Sequence, residues 1–446
     1  MFKKRLLKII AVVFIFSLVC TVSFARGGKD KGKPAEKAPS AETKKDIKGT
    51  VKIYKGPFVA NEVELYNNII TEFNKEYPNI KVIHEMFDWP TMEAQLTASV
   101  AGGTHDVIYF PEGMYPKFCY KGGPLEDLSS YIEDPAWQEE RNNILYWEAA
   151  TAPDGHLGGV PYVWNPQSFL YANLDMLKEA GAPDDWYTSM DKVRDAAIKM
   201  TKGDKYGFAF RTGGFAQMSW FDWYSYILRS GADFLNEDFT ACGLNKPELV
   251  ETFQWLADLQ NKDKVMPEYG GYTWDGLQGL FQAGKIGILN DETILLNLLK
   301  ENPPDFEYSC FPAPGNARDV LLVFRGFFAI PETSKNKEAA WEVIKFWSRP
   351  EMAVPYINST FAVYPVLKDY HGIELYPGAE EIHIPLEKNF YELAQGPQFH
   401  PQMVEFQNVV QPLFDELMLG KITPQQLIDQ ACSQINEKLK KCTKNG

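Results

Sequence analysis

Gly326–Glu351 reads GFFAIPETSKNKEAAWEVIKFWSRPE, and within it one periodicity gives way to another. The chain enters it through Val320–Ile330, VLLVFRGFFAI, an apolar and aromatic run bounded by Pro331. Such a run is too short to span a bilayer and suits an inner strand of a sheet covered on both faces. Beyond Pro331, Ala340, Val343, Ile344 and Trp347 fall at i, i+3, i+4 and i+7, the stripe of a helix packing back onto that sheet. Ser334 can cap this helix and Pro350 can stop it. The stretch is thus a strand-to-helix unit of an α/β protein.

The N-terminal part repeats the pattern. Thr50–Tyr54 predicts a strand, Tyr66, Ile69, Ile70 and Phe73 one helix face, Ile80–Phe87 a second strand, Pro90–Ala101 a second helix and Asp106–Phe110 a third strand. Short links in this β-α-β-α-β order imply a parallel sheet. Near the other end, Thr423-Pro424 opens a helix whose Ile428, Ala431, Cys432, Ile435 and Leu439 recur at helical spacing.

Several segments resemble, in order, the extracellular solute-binding proteins that serve ABC importers of sugars, the group that includes maltodextrin-binding proteins. They are FNKEYPNIKV with AGGTHDVIYF, GGPLEDLSSYI, DGHLGGVPYVWNPQSFLYAN, FQAGKIGI, and SKNKEAAW at Ser334–Trp341, spread over roughly residues 50–440. The resemblance implies a two-lobed α/β fold of the type II periplasmic-binding class, with a ligand cleft between the lobes and three hinge crossovers, near 163–168, 311–318 and 358–364. The lobes expected from it are 50–164 with 314–360, and 165–313 with 361–446. It further implies capture of a mono- or oligosaccharide by hinge closure and delivery to the membrane permease subunits of an ABC transporter, by a monomer without cofactor or covalent chemistry. Polyols, uronates or glycerol phosphates are other solutes the same fold could take, and delivery of a ligand signal to a membrane receptor is another use of it.

Composition and termini fit export. Lys3, Lys4, Arg5 and Lys8 precede the apolar run Ile9–Cys20, and Ser23-Phe24-Ala25 offers small residues at a cleavage site, so residues 1–25 are expected to be a secretion signal. Cys20 raises lipid modification as a second route, although Val19 stands where a lipoprotein signal favours a smaller residue. Residues 26–49 are Lys-, Pro- and Ala-rich and predict a tether. After residue 50 there are 33 basic and 55 acidic side chains, which argues against nucleic acid or an anionic bilayer surface as the partner. Cys119, Cys242, Cys310, Cys432 and Cys442 are odd in number and scattered, so no disulfide framework is expected.

Catalytic signals are thin. The six histidines form no HxxxH or H-x-H pair, the cysteines supply no zinc set, and there is no GxSxG elbow or P-loop. Asp291-Glu292 is the nearest thing to a carboxylate pair, and neighbours in sequence are poorly placed to face one bond. Neither a metal nor a catalytic set is expected. Sugar binding needs aromatic platforms and fixed polar groups, and aromatic residues stand at strand ends and in loops. Trp89, Phe110, Glu112, Trp164, Asn165, Trp220, Trp223, Trp274 and Asp291 occupy such positions, which in parallel sheets gather ligands. Arg325-Gly326-Phe327-Phe328 occupies the Gly-Gly stretch that the family carries before Ala-Ile, with Arg325 as the departure, and Tyr364 precedes Pro365 where the family's chain returns to its second lobe. Against each stands a plainer role: a tryptophan is most often core, Trp220 and Trp223 could share one helix's core face, and Arg325 could pair with an acid.

Overall fold

The computed structural model describes residues 46–212, 219–360, 363–368 and 394–442; the expected secretion signal, Cys20 and nearly all of the expected tether lie outside them. Eleven strands among these residues form two sheets. In the first, β1 (Gly49–Tyr54), β2 (Ile80–Glu85) and β3 (Val107–Pro111) are parallel, as the β-α-β-α-β reading requires. Its order continues through β9 (Leu321–Ala329), β4 (Val160–Pro166) and β10 (Tyr364–Pro365), with β11 (Ala394–Gln395) also on β9. The second sheet runs β6 (Tyr206–Phe210), β7 (Ile286–Asp291), β5 (Phe169–Asn173), β8 (Tyr308–Pro312). Of the helices, α1 (Glu62–Glu76), α2 (Met92–Gly102), α3 (Trp220–Arg229), α4 (Trp274–Gln282), α5 (Lys337–Trp347), α6 (Pro350–Thr360), α7 (Met403–Met418) and α8 (Pro424–Cys442) frame the sheets and the loops between them.

The run that predicts an inner strand is one: every residue of β9 is buried. It pairs antiparallel with both β3 and β4, so the sheet is mixed rather than wholly parallel. Its alternation splits the strand, Leu321 and Val323 packing into one apolar cluster and Leu322 and Phe324 into the other. α5 then buries Ala340, Val343, Ile344 and Trp347. Its N-cap is Asn336 rather than Ser334; the Ser334 hydroxyl accepts the Asn336 N–H at 3.1 Å and donates to Asp106 at 2.7 Å, shaping the turn before the helix. Pro350 opens α6, where its missing N–H costs nothing.

The chain passes from the first sheet to the second at Gln167–Ser168, between β4 and β5, and back between β8 and β9. Tyr364–Pro365 still pairs with β4 in the first sheet, so the third passage does not lie at 358–364 but further on. α7 belongs to the second lobe's core, where Phe406, Val410 and Phe414 pack with Trp223 and Phe253. The expectation about cysteines also needs correction. Cys242 and Cys432 form a disulfide, tying the loop after α3 to α8, while Cys119 and Cys310 are buried thiols. The two halves are 190 residues apart, and only the fold brings them together. Among the described residues no helix is long and apolar enough to cross a membrane.

Candidate functional site

Between the two sheets lies a cleft open to solvent. One wall comes from loops at the carboxyl ends of the first sheet's strands. Lys55, at the end of β1, is fully buried and donates to Glu62 at 2.6 Å; the other Glu62 oxygen accepts the Phe58 N–H at 3.1 Å, and Tyr356 Oη donates to the first at 2.7 Å. Burial lowers the Lys55 amine pKa, and Glu62 opposes that shift. The pair fixes Pro57 and Phe58 at the rim, with the Lys55 ammonium 3.8 Å from the Phe58 ring centre. Trp89 stacks on Phe58 with ring centres 5.8 Å apart and donates its indole N–H to the Pro57 carbonyl at 2.6 Å. Tyr109 and Pro111, one face of β3, complete this side.

The opposite wall belongs to the second lobe. Trp274 opens α4 behind a Thr273 cap, and its indole N–H donates to Asp291 at 2.9 Å. Gln278 Nε2, one turn further along α4, donates to the same carboxylate at 2.9 Å. Burial pushes the Asp291 carboxyl up to about 7, against the pull of Arg211. Trp220 opens α3 and meets Phe324 edge-on at 5.1 Å, with Phe221 beside it.

Neutral groups and one carboxylate make the floor. Asn165 and Gln167 donate to Glu292 Oε2 at 2.6 and 2.8 Å, and Arg211 donates to its Oε1 at 2.7 Å. Arg211 also donates to Asp222, at 3.0 Å from Nε. Burial opposes its charge, yet Asp222, Glu292 and Asp291 hold its pKa above the usual guanidinium value. The neighbouring crossover is fastened to the second lobe. Ser168 adopts φ of 67°, its hydroxyl donates to Asn290 at 2.9 Å, and its carbonyl accepts from Arg229 at 2.9 Å. A left-handed serine persists only where its surroundings over-determine it.

Of the residues singled out in the sequence, Trp89, Asn165, Trp220 and Trp274 line the cleft. Two others stand directly behind it, Asp291 holding Trp274 and Gly326 leaving room for Tyr109. The remaining six are placed elsewhere. Trp164 is buried beside Tyr364, donating its N–H to Pro365 O at 2.8 Å; it neighbours Asn165 on β4, and successive strand residues face opposite ways. Glu112 and Arg325 are paired with one another at 2.7 Å, with the guanidinium 4.5 Å from the Tyr146 ring centre. Burial raises the Glu112 pKa, and Arg325 opposes that. Phe110 packs on Phe118, and Trp223 donates to Gln411 at 3.0 Å in the second core. Phe58, Tyr109, Phe221, Phe324, Gln167 and Gln407 line the cleft without having been singled out. The parity of β3 could have pointed to Tyr109 once one face was known to look into the cleft; Gln167 and Gln407 carry no such signal.

A family model for bacterial extracellular solute-binding proteins matches residues 68–376. The chain belongs to that family. A binding protein of Brucella abortus is 24% identical to this binding protein over 405 residues, covering 88% of this chain and 94% of its own. The sn-glycerol-3-phosphate-binding periplasmic protein UgpB of Yersinia enterocolitica is 23% identical over 401 residues, covering 82% and 87%. Among solved structures, an ABC substrate-binding protein of Listeria monocytogenes in complex with cycloalternan superposes with a TM-score of 0.76 at 20% identity, covering 88% of this chain and 99% of that one. These likenesses establish the two-lobed type II binding fold.

Proposed function

We propose that this binding protein captures a neutral mono- or oligosaccharide in the cleft by closing its lobes and delivers it to the permease subunits of an ABC importer. The observation that carries the reading is the lining itself. Phe58, Trp89 and Tyr109 face the cleft from one lobe, and Trp220, Phe221 and Trp274 from the other, while Asn165, Gln167 and Gln407 supply neutral polar groups. Flat aromatic faces suit the C–H faces of sugar rings, and amides suit their hydroxyls. A ligand touching both walls favours the closed state by the affinity it gains there, which is what hinge closure requires. The Listeria neighbour, with its bound cyclic saccharide, supports the same direction.

The UgpB relative favours a second reading, a glycerol phosphate. A phosphate calls for free cations or converging N–H groups. Among the described lining residues there is no Lys or Arg, and Arg211 behind the floor is already engaged by Asp222 and Glu292. The balance therefore favours a neutral solute. Glu292 already accepts from three donors, which argues against a role in bond cleavage. The reading includes export by the segment 1–25, a lipid anchor at Cys20 as its variant, a monomer in solution, and lobes that follow the two sheets.

A thermal-shift series with maltose, cycloalternan, ribitol, galacturonate and sn-glycerol 3-phosphate tests it. Native-state binding at a hundred times Kd adds about 2.7 kcal/mol of stability. The expected result is a concentration-dependent rise in Tm with a neutral ligand that is recovered unaltered. A rise with the anionic members alone would overturn the neutral-sugar reading.

A further inference from the structure

α7 carries a ladder of polar side chains one turn apart: Gln407, Gln411 and Asp415. The two further along are satisfied. Gln411 Oε1 accepts from Ser219 and from Trp223, each at 3.0 Å, its Nε2 donates to Asp415 at 2.9 Å, and Asp415 accepts Tyr269 Oη at 2.6 Å. Gln407 differs. It is 1% exposed, it lines the cleft, and its Nε2 has no hydrogen-bond partner among the described residues. A buried amide donor left unpaired is costly, and one that also lines the cleft is within reach of what enters it.

What lies opposite is informative. A Cβ on Gly113, in the first lobe after β3, would come within 3.7 Å of Gln407 Nε2 and within 3.0 Å of the Trp220 ring. The lobes therefore approach one another at this point, and the missing side chain of Gly113 leaves room beside the amide. Gln407 is thus buried beside Trp220, where the backbone of Gly113 comes close to it.

We infer that Gln407 is a specificity-determining residue of the cleft, donating a hydrogen bond to an acceptor oxygen of the solute seated against Trp220, with Gly113 leaving the space that this requires. The inference rests on the reading of the cleft as the ligand site. The oxygen it selects is a hydroxyl, ring or acetal oxygen in a sugar; in a glycerol phosphate a glycerol or phosphate oxygen takes the same place. Since the amide is satisfied by the solute and not by the protein, its polarity serves binding at the expense of the unliganded fold.

Gln407→Met keeps the length of the side chain and removes the donor, and two measurements on it decide the matter. The first is Tm without ligand, which is expected to be unchanged or raised; a fall of several degrees would mean that Gln407 is a structural partner, and would overturn the inference. The second is affinity for whichever of maltose, cycloalternan, ribitol or sn-glycerol 3-phosphate raises the Tm of the unaltered protein, expected to fall about tenfold, the equivalent of one hydrogen bond. Unchanged affinity would also overturn it. Gln407→Glu, which replaces donors with acceptors, should lose affinity at least as far, and equal binding by it would count against a donated bond. If none of the four ligands shifts the unaltered protein, the neutral-sugar reading fails and the unliganded Tm alone decides on Gln407.

Discussion

Tyr109 fills the space that a side chain at position 326 would occupy: a Cβ on Gly326 would collide with the tyrosine ring and its hydroxyl. The two residues lie on neighbouring strands, β3 and β9, and Tyr109 faces the cleft. The glycine therefore acts on the binding wall through what it leaves empty.

Gly326→Ala should accordingly destabilise the protein by about 1–3 kcal/mol, the range for overpacking a dense core. It should also weaken ligand binding, because the displaced ring belongs to the wall. Adding Tyr109→Leu to Gly326→Ala should recover part of the stability but not the affinity. Denaturant unfolding and ligand titration of both variants check this; additive losses of stability would mean that the two residues do not collide.

Trp220 and Trp164 should respond oppositely to truncation. Trp220→Ala removes a cleft platform and is expected to lower affinity by about tenfold, since stacking on an aromatic contributes about 0.5–1.5 kcal/mol beyond the area it buries. Trp164→Phe removes a buried N–H bond to Pro365 and is expected to cost about 1 kcal/mol of stability with affinity nearly unchanged. Calorimetric titration alongside thermal unfolding separates the two effects, and a large affinity loss in Trp164→Phe would contradict its placement in the core.

The Cys242–Cys432 bond closes a very long loop, so its loss should matter most in the unfolded chain. Replacing both residues by Ser should cost about 2–5 kcal/mol and lower Tm, with the ligand-binding cleft intact. Mass spectrometry of the native chain under non-reducing conditions tests the pairing itself; free thiols at both positions would refute it.

His84 stacks on Tyr66 at 4.0 Å, and burial, together with Lys55, lowers its pKa to about 4. The folded value lies below the unfolded one of about 6.5, so the unfolded chain takes up the proton first as pH falls. The stability His84 contributes is present above pH 6.5 and lost between 6.5 and about 4, up to about 3 kcal/mol. Comparing the pH dependence of Tm with that of His84→Phe isolates this loss; identical profiles would show that His84 protonates freely in the fold.

How far the site could be foreseen depended on the kind of residue. Trp89, Trp220 and Trp274 stood out as large aromatics at strand ends and in loops, and all three line the cleft. Trp164 and Asn165 are adjacent on a strand, and which of them faces the cleft is a matter of parity, with a register shift between Pro161 and Val163 on the way. Trp220 and Trp223 are one turn apart on α3, and only the first reaches the cleft. Glu112 and Arg325 each look like ligand contacts in isolation, until the fold sets them 2.7 Å apart.

The sequence by itself determined the elements and their class: a buried run of strand length, helical stripes at their proper period, and three parallel strands with their helices. These are local properties, set by φ/ψ preferences and by the spacing of apolar residues along a few turns. Only the tertiary structure decided which faces meet. Gln407 in α7 reaches a cleft whose other wall begins near residue 57, Cys242 finds Cys432, and Arg211 is matched to Asp222 and Glu292. Such partners are chosen by burial and pairing across the whole chain, since a buried charge or amide must be met by whatever the fold brings beside it. A one-dimensional pattern marks that a face will be covered; the covering residue is a property of the packed molecule.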